Sequence, residues 1–340
     1  MKKIFFALAA IAALAACSKS EVAYDSYDEI SFRPVTENIT KTMVTGTSFP
    51  TENFNLWAYY KPVAPGTAVG TWLSNDAEAQ TYIDEKPFKH ESGIWVGANN
   101  PYFWPKNGSL VFVGYYPTAI ENQVAHNLAT NTLSFYDIPM SKVRTGASDH
   151  SEDIMYFNLT PSYATGAVDA EFKHALSWIS LILVMDDNTP NSAKITVEKV
   201  EFTKVMSAGD AVVIDGGDIK WSTKGNEVTV DILDDNDATT LNSIVLQKGN
   251  TTQEPYEPLF IPQRMNGNLV VTYTITSLDG SYFREVKTVA LGTLKDASGN
   301  TLSTWEPAKH YTYTITIGTS QILVAPKVAD WTPVAVNQVI

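Results

Sequence analysis

Tyr311-Thr312-Tyr313-Thr314-Ile315-Thr316-Ile317 alternates large apolar side chains with threonine at every second position. Successive side chains of an extended chain point to opposite faces, so this run reads as a strand with one face buried. Leu269 to Thr276 repeats the pattern, with Leu269, Val271, Tyr273 and Ile275 on one face. Val228, Val230 and Ile232 share a face, and the pairs Ile195/Val197 and Ile30/Phe32 continue the theme. Turn signals separate these runs: Asn107-Gly108, Asn266-Gly267, Asp279-Gly280 and Asp215-Gly216-Gly217. After residue 20 no stretch keeps a helical period over three turns. The expected fold class is all-β, with sheets packed face to face.

The first residues place the chain. Lys2 and Lys3 precede an unbroken apolar run, Ile4 to Ala16, which has the form of a signal peptide. A spanning helix needs about 20 apolar residues, so this run is too short to serve as an anchor by itself. Leu14-Ala15-Ala16-Cys17 resembles the lipobox of bacterial lipoproteins, in which cleavage falls before a diacylglycerol-modified cysteine. Cys17 is the only cysteine of the chain and its only soft nucleophile, so it is the expected lipidation site. Ordinary secretion, with cleavage near Ala16 and a free thiol, is the alternative. Each buried methylene of an acyl chain contributes about 0.8 kcal/mol, so two or more chains hold a protein stably at a bilayer. One cysteine allows no disulfide within the chain, and the fold must rest on its core.

Removing residues 1–16 from the 340 leaves 324, enough for two domains of ordinary size. A boundary is expected near residue 165, where Pro161 to Asp169 is short, polar and rich in small residues. Expected strands before it are Asn53 to Tyr60, Gly93 to Val96, Ser109 to Tyr116 and Asp153 to Asn158. Those after it include Lys194 to Lys204, Ala211 to Ile214, Glu227 to Leu233 and Glu285 to Leu291. The formal charge of −13 excludes a nucleic-acid partner, because phosphates demand lysine and arginine.

Several phrases carry a resemblance. They are Tyr102-Phe103-Trp104-Pro105, Leu110 to Pro117, Phe172-Lys173-His174-Ala175-Leu176, Leu259-Phe260-Ile261-Pro262-Gln263, Trp305 to Tyr313 and Val328-Ala329-Asp330-Trp331. Taken in order with the lipobox, they resemble the fimbrillin family of Bacteroidales-type envelopes; Ala308 stands where that family commonly has glycine. The resemblance implies two transthyretin-like β-sandwich domains, residues 17–165 and 166–340. It also implies a structural subunit of adhesive fimbriae, anchored at the outer membrane or cell surface and built into polymers by strand exchange. In that scheme a trypsin-like protease removes the N-terminal segment with its first strand. A strand of the next subunit then fills the groove by β-augmentation.

The residues offer parts for each step. Glu29 to Val35 makes a removable first strand, within a leader spanning about residues 17–41. Arg33 precedes Pro34, which blocks trypsin-like cleavage, whereas Lys41-Thr42 lies in a polar stretch that suits a protease. The candidate donor strand lies within about residues 321–340, with Ile322, Leu323 and Val324 in one piece and Val334, Val336 and Val339 in another. Pro326 and Pro333 are expected to keep these pieces apart. Closing strands of the second sandwich are the alternative.

No catalytic constellation is present. The five histidines show neither zinc spacing nor a His-Glu-x-x-His motif, and no Gly-x-Ser-x-Gly elbow occurs. His174, beside the apolar run from Ala175, reads as a structural histidine. Asp186-Asp187-Asn188 and Asp234 to Asp237 are explained by turn formation without calcium. Trp57, Trp104, Trp178 and Trp305 are expected in cores, while Trp72 and Trp95 lie in more polar surroundings that could meet glycans. Neither a metal nor a cofactor is expected, and the chain is not an enzyme. Expected partners are other fimbrial subunits, the membrane through the lipid, and host or microbial surface ligands. A surface lipoprotein of the same fold that binds ligands without polymerising is the rival reading.

Overall fold

The computed structural model describes residues 24–34, 52–62, 79–105, 108–140, 153–159, 167–234, 243–250, 258–296, 298–319 and 322–331. In chain order the strands begin with β1 (Tyr24–Glu29), β2 (Phe32–Pro34), β3 (Phe54–Lys61), β4 (Gln80–Glu91), β5 (Ile94–Gly97), β6 (Phe103–Pro105) and β7 (Ser109–Tyr116). Then come β8 (Val124–Asn127), β9 (Thr132–Pro139), β10 (Met155–Leu159), β11 (Val168–Ala170), β12 (Lys173–His174), β13 (Ser177–Met185), β14 (Lys194–Ile214) and β15 (Lys220–Asp234). The last are β16 (Ile244–Leu246), β17 (Leu259–Phe260), β18 (Gln263–Arg264), β19 (Asn268–Thr276), β20 (Tyr282–Ala290), β21 (Thr304–Trp305), β22 (Lys309–Ile317) and β23 (Ile322–Asp330). Among the described residues, helix is confined to short 3-10 turns at Thr118–Gln123, Leu128–Thr130 and Leu291–Thr293. The protein is all-β.

An eight-stranded sheet runs in the order β11-β2-β5-β4-β3-β7-β10-β12. Its central strands β3 and β7 are apolar at both parities because both faces are covered. Phe54, Leu56, Ala58, Leu110 and Phe112 enter one core with Phe32, Phe88 and Phe157. Trp57, Tyr59, Val111, Val113 and Tyr115 enter a second core, against Phe135 of β9 and Val213 of β14. Gly114 pairs with Phe157, and a Cβ there would lie 2.3 Å from that ring, so only glycine lets β10 close on β7.

The third core shows why the opening heptapeptide is diagnostic. Parallel pairing of β13 with β22 sets Ile179, Leu181, Leu183 and Met185 beside Tyr311, Tyr313, Ile315 and Ile317. All eight are buried against Ile195, Val197, Val200 and Phe202 of β14 and Leu269, Val271 and Tyr273 of β19. The four-stranded sheet β17-β13-β22-β23 thus packs face to face on the β14 and β19 region.

Two expectations need correction. Lys194 to Lys204 and Ala211 to Ile214 are not separate strands but parts of β14, which continues through irregular pairing after Phe202 and Met206. Bulges absorb the extra residues and leave the ladder to resume. Pro326 does not end the first C-terminal piece either; it lies inside β23, opposite Tyr313. Proline removes a ladder donor, and β23 tolerates it because it is the edge of its sheet. Pairing also crosses residue 165 in both directions: β8 and β9 join the sheet of β14, and β11 and β12 join that of β3.

Candidate functional site

Near the N-terminal end, β2 occupies a slot between β5 and β11. It contributes only three residues, antiparallel to β5 at Phe32–Trp95 and parallel to β11 from Val168 to Ala170. Side chains of this strand and of the residues just before it carry the attachment. Ile30 and Phe32 are both 0 % exposed, and the Phe32 ring lies 5.1 Å from Phe112, 5.3 Å from Phe88 and 5.9 Å from Phe54, each edge-on. Edge-to-face rings at such distances add to simple burial. The flanking backbone is tied by Ile30 N–H to the Tyr102 carbonyl and Val168 N–H to the Ser31 carbonyl, each 2.7 Å. Arg33 and Asp169 form a largely exposed ion pair at 3.1 Å, of small energetic weight.

At the other end of the chain, β23 is the edge strand of its sheet and, among the described residues, pairs only with β22. Ile322, Val324 and Val328 turn inward onto the third core, whereas Leu323 is 55 % exposed. Beyond Asp330 the chain is pinned by Trp331, which is buried, with its N–H donated to the Ala308 carbonyl at 2.9 Å. The Trp331 ring stacks on His174 at 3.6 Å, and His174 Nδ1 lies 3.0 Å from Asp153 Oδ2, both side chains being buried. Beside them Trp178 stacks on His310 at 3.6 Å, and Ser180 Oγ lies 2.7 Å from His310 Nε2. These rings hold Trp331; enclosed as they are, His174 and Asp153 face no solvent through which a substrate could reach them.

Burial lowers the His310 pKa to about 4, with Lys327 adding to the shift. His126, between the Tyr59 hydroxyl at 2.7 Å and Asn131 Oδ1 at 3.2 Å, is likewise lowered to about 4 by burial, against the raising effect of Asn131. A pKa below the ordinary 6.5 means that the unfolded chain binds more protons as pH falls. The stabilisation is complete above about pH 6.5 and is lost progressively toward pH 4. The urea midpoint is therefore expected to fall between about pH 7.5 and about pH 5, and less in a His126→Gln/His310→Gln variant. An equal fall in both proteins contradicts this assignment.

The site residues read from the sequence divide between described and undescribed segments. Ile322, Leu323 and Val324 open β23. Cys17, Lys41, Thr42, Val334, Val336 and Val339 lie outside the described residues, as does Trp72. Trp95 is corrected: it is 1 % exposed, with its indole N–H donated to the Glu52 carbonyl at 2.8 Å, and so belongs to the core. The four tryptophans expected in cores, Trp57, Trp104, Trp178 and Trp305, are all buried. Asp186 Oδ1 accepts from Asn188 N–H at 2.9 Å, a local turn bond. Among the described residues no three His, Cys, Asp or Glu side chains come together to hold a metal, and no helix is long and apolar enough to cross a membrane. The Trp331–His174–Asp153 set was missed as a unit, although His174 and Trp331 each stand in one of the motifs quoted above.

The family model for fimbrillin-like proteins matches residues 27–331, and that for the prokaryotic membrane lipoprotein lipid attachment site matches residues 1–18. The chain belongs to the fimbrillin-like family. A fimbrial protein from Bacteroides vulgatus is similar in structure, with a TM-score of 0.63 at 20 % identity over 89 % of this chain and 99 % of that one. A candidate cell adhesion protein from Bacteroides uniformis gives a TM-score of 0.53 at 18 % identity over 91 % of this chain and 100 % of its own. No curated protein matches the sequence. The protein is thus a fimbrillin-like surface protein with a lipid attachment site, in a family of structural, non-enzymatic proteins.

Proposed function

We propose that this chain is a subunit of fimbriae at the outer membrane, joined to its neighbours by β-strand exchange. In this reading the protein is two transthyretin-like sandwiches in tandem, residues 17–165 and 166–340, tethered through acylated Cys17. Cleavage at Lys41-Thr42 releases the leader, β2 leaves its slot, and a segment from residues 321–340 of the next subunit enters it. The observation that supports this most is the character of β2 and its approach: Phe32 within the strand and Ile30 just before it are fully buried, yet the strand itself is only three residues long. Few backbone pairs tie such a strand, yet its departure leaves open edges on β5 and β11 and an aromatic slot that another strand can fill. Ordered subunits then present surfaces to host or microbial ligands.

A second reading, a surface lipoprotein that binds ligands as a monomer, draws support from β23. That strand is already paired with β22 along its whole length and ends at the buried Trp331. A Lys41→Ala variant separates the two. Under strand exchange it retains its leader and runs as a monomer on SDS gels, while the unaltered chain forms SDS-resistant ladders after protease treatment. Ladders of equal abundance from the variant would reject Lys41 as the cleavage point.

A further inference from the structure

A cavity of about 610 Å³ opens where the β14–β15 hairpin meets the small β18–β21 sheet. Its lining comes from four separate parts of the chain, around residues 204–206, 221–227, 262–266 and 304–307. The half-buried Trp221 is the aromatic plate of this site. Its indole N–H is donated to the Ala175 carbonyl at 2.8 Å, and Gly209 lies against it so closely that a Cβ would stand 3.1 Å from Cε3. The ring is therefore fixed on its inner side, and its remaining surface lines the cavity.

Around this plate stand Lys204, Glu227, Arg264 and Glu306, all exposed. None of the four side chains makes a hydrogen bond or ion pair with another described residue, although the rim carries both signs of charge. Lys204 has φ 58, at the irregularity of β14 between Phe202 and Val205, so the bulge sets the direction of this side chain. Gln263 is locked, its Oε1 accepting from Met206 N–H at 2.8 Å and its Nε2 donating to the Ile261 carbonyl at 3.2 Å. The result is a preformed apolar plate ringed by free donors and acceptors, within the usual size range of a small-ligand site.

We propose that this cavity is a binding site for a short neutral saccharide. A pyranose offers an apolar C–H face that lies flat on a fixed indole. Its hydroxyls both donate and accept, which matches a rim of two cations and two carboxylates. Two cations balanced by two anions give no net attraction for an acidic ligand, and a ring of four charges disfavours a lipid chain. The site requires only the β14–β15 and β18–β21 region and does not depend on polymerisation.

The test uses the full chain in detergent micelles on an array of immobilised neutral di- to tetrasaccharides built from hexose and N-acetylhexosamine. Retention on at least one saccharide is expected, lost with Trp221→Ala and reduced about tenfold by Glu227→Gln and by Arg264→Ala. Those two rim changes lie on exposed side chains and should leave the melting temperature unchanged, so a folding defect cannot imitate the result. No retention, retention unaffected by the rim variants, or retention only by acidic saccharides or by peptides overturns the assignment.

Discussion

Replacing Phe32 with alanine is expected to destabilise the protein by about 3–5 kcal/mol, the range for deleting a buried aromatic ring. The ring is 0 % exposed and is surrounded by Phe54, Phe88, Phe112 and Phe157, all within 6.1 Å between centroids. These neighbours belong to strands fixed on other sides, so they cannot collapse into the space. Urea unfolding followed by tryptophan emission measures the effect, since Trp95 pairs with Phe32 across the ladder. Leu278, 86 % exposed, provides the comparison; Leu278→Ala should shift stability by no more than about 0.5 kcal/mol. A Phe32→Ala loss below about 1 kcal/mol would mean that β2 does not close this core. The prediction bears on function because the burial that β2 supplies is what an incoming strand would have to replace. Fully burying an Ile or Phe side chain contributes roughly 1.5–3 kcal/mol, so an empty slot is strongly driven to refill.

Deleting Val334 to Ile340 is expected to abolish SDS-resistant polymers while leaving a folded monomer. Among the described residues, the attachments of the C-terminal region all lie upstream of the deletion. The β22–β23 ladder ends at Asp330, Lys309 pairs with Asp330, and Trp331 is stacked on His174. Loss of the last residues therefore spares all three, and the monomer should melt as before. Val334, Val336 and Val339 are the apolar side chains that a receiving groove would lose. Ladders as abundant as those of the intact chain would exclude this segment as donor and leave Ile322 to Val324 as the candidate piece. Those residues would have to give up their pairing with β22 first.

The fold was legible wherever one face of a strand meets a core, because burial then writes a period of two into the sequence. Tyr311 to Ile317 and Leu269 to Thr276 are of this kind, and both are strands with the expected faces inward. Legibility failed where the period is interrupted. In β4, Glu85 has φ 44 at an irregular stretch of pairing, and Pro87 lies within the strand, so Ile83 and Phe88 do not read as one face. In β14 the small residues Ser207, Ala208 and Gly209 imitate a break that irregular pairing carries through. Trp95 was misread for a related reason: His90 and Glu91 precede it, but its ring packs inward beside Phe32, with the His90 ring tilted against it at 4.6 Å.

The sites were less legible than the fold. Sequence reasoning marked strands at β2 and at the opening of β23 because each is a local apolar pattern near a chain end; their part in strand exchange is the proposal. It could not join Trp331 to His174 and Asp153, which are brought together only when β23 returns alongside β22. The Trp221 cavity is still less local, since Lys220 and Ser222 beside Trp221 give no sign of residues 264 and 306 across the opening. Only Gly209, a close-approach glycine facing that ring, left any trace in the sequence.

Strand exchange is tested most directly by negative-stain microscopy of the purified protein after limited trypsin treatment, with SDS-resistant ladders run on the same sample. The account predicts filaments and a ladder once the leader is removed. Monomers that persist after the leader has been cleanly cut away would contradict it.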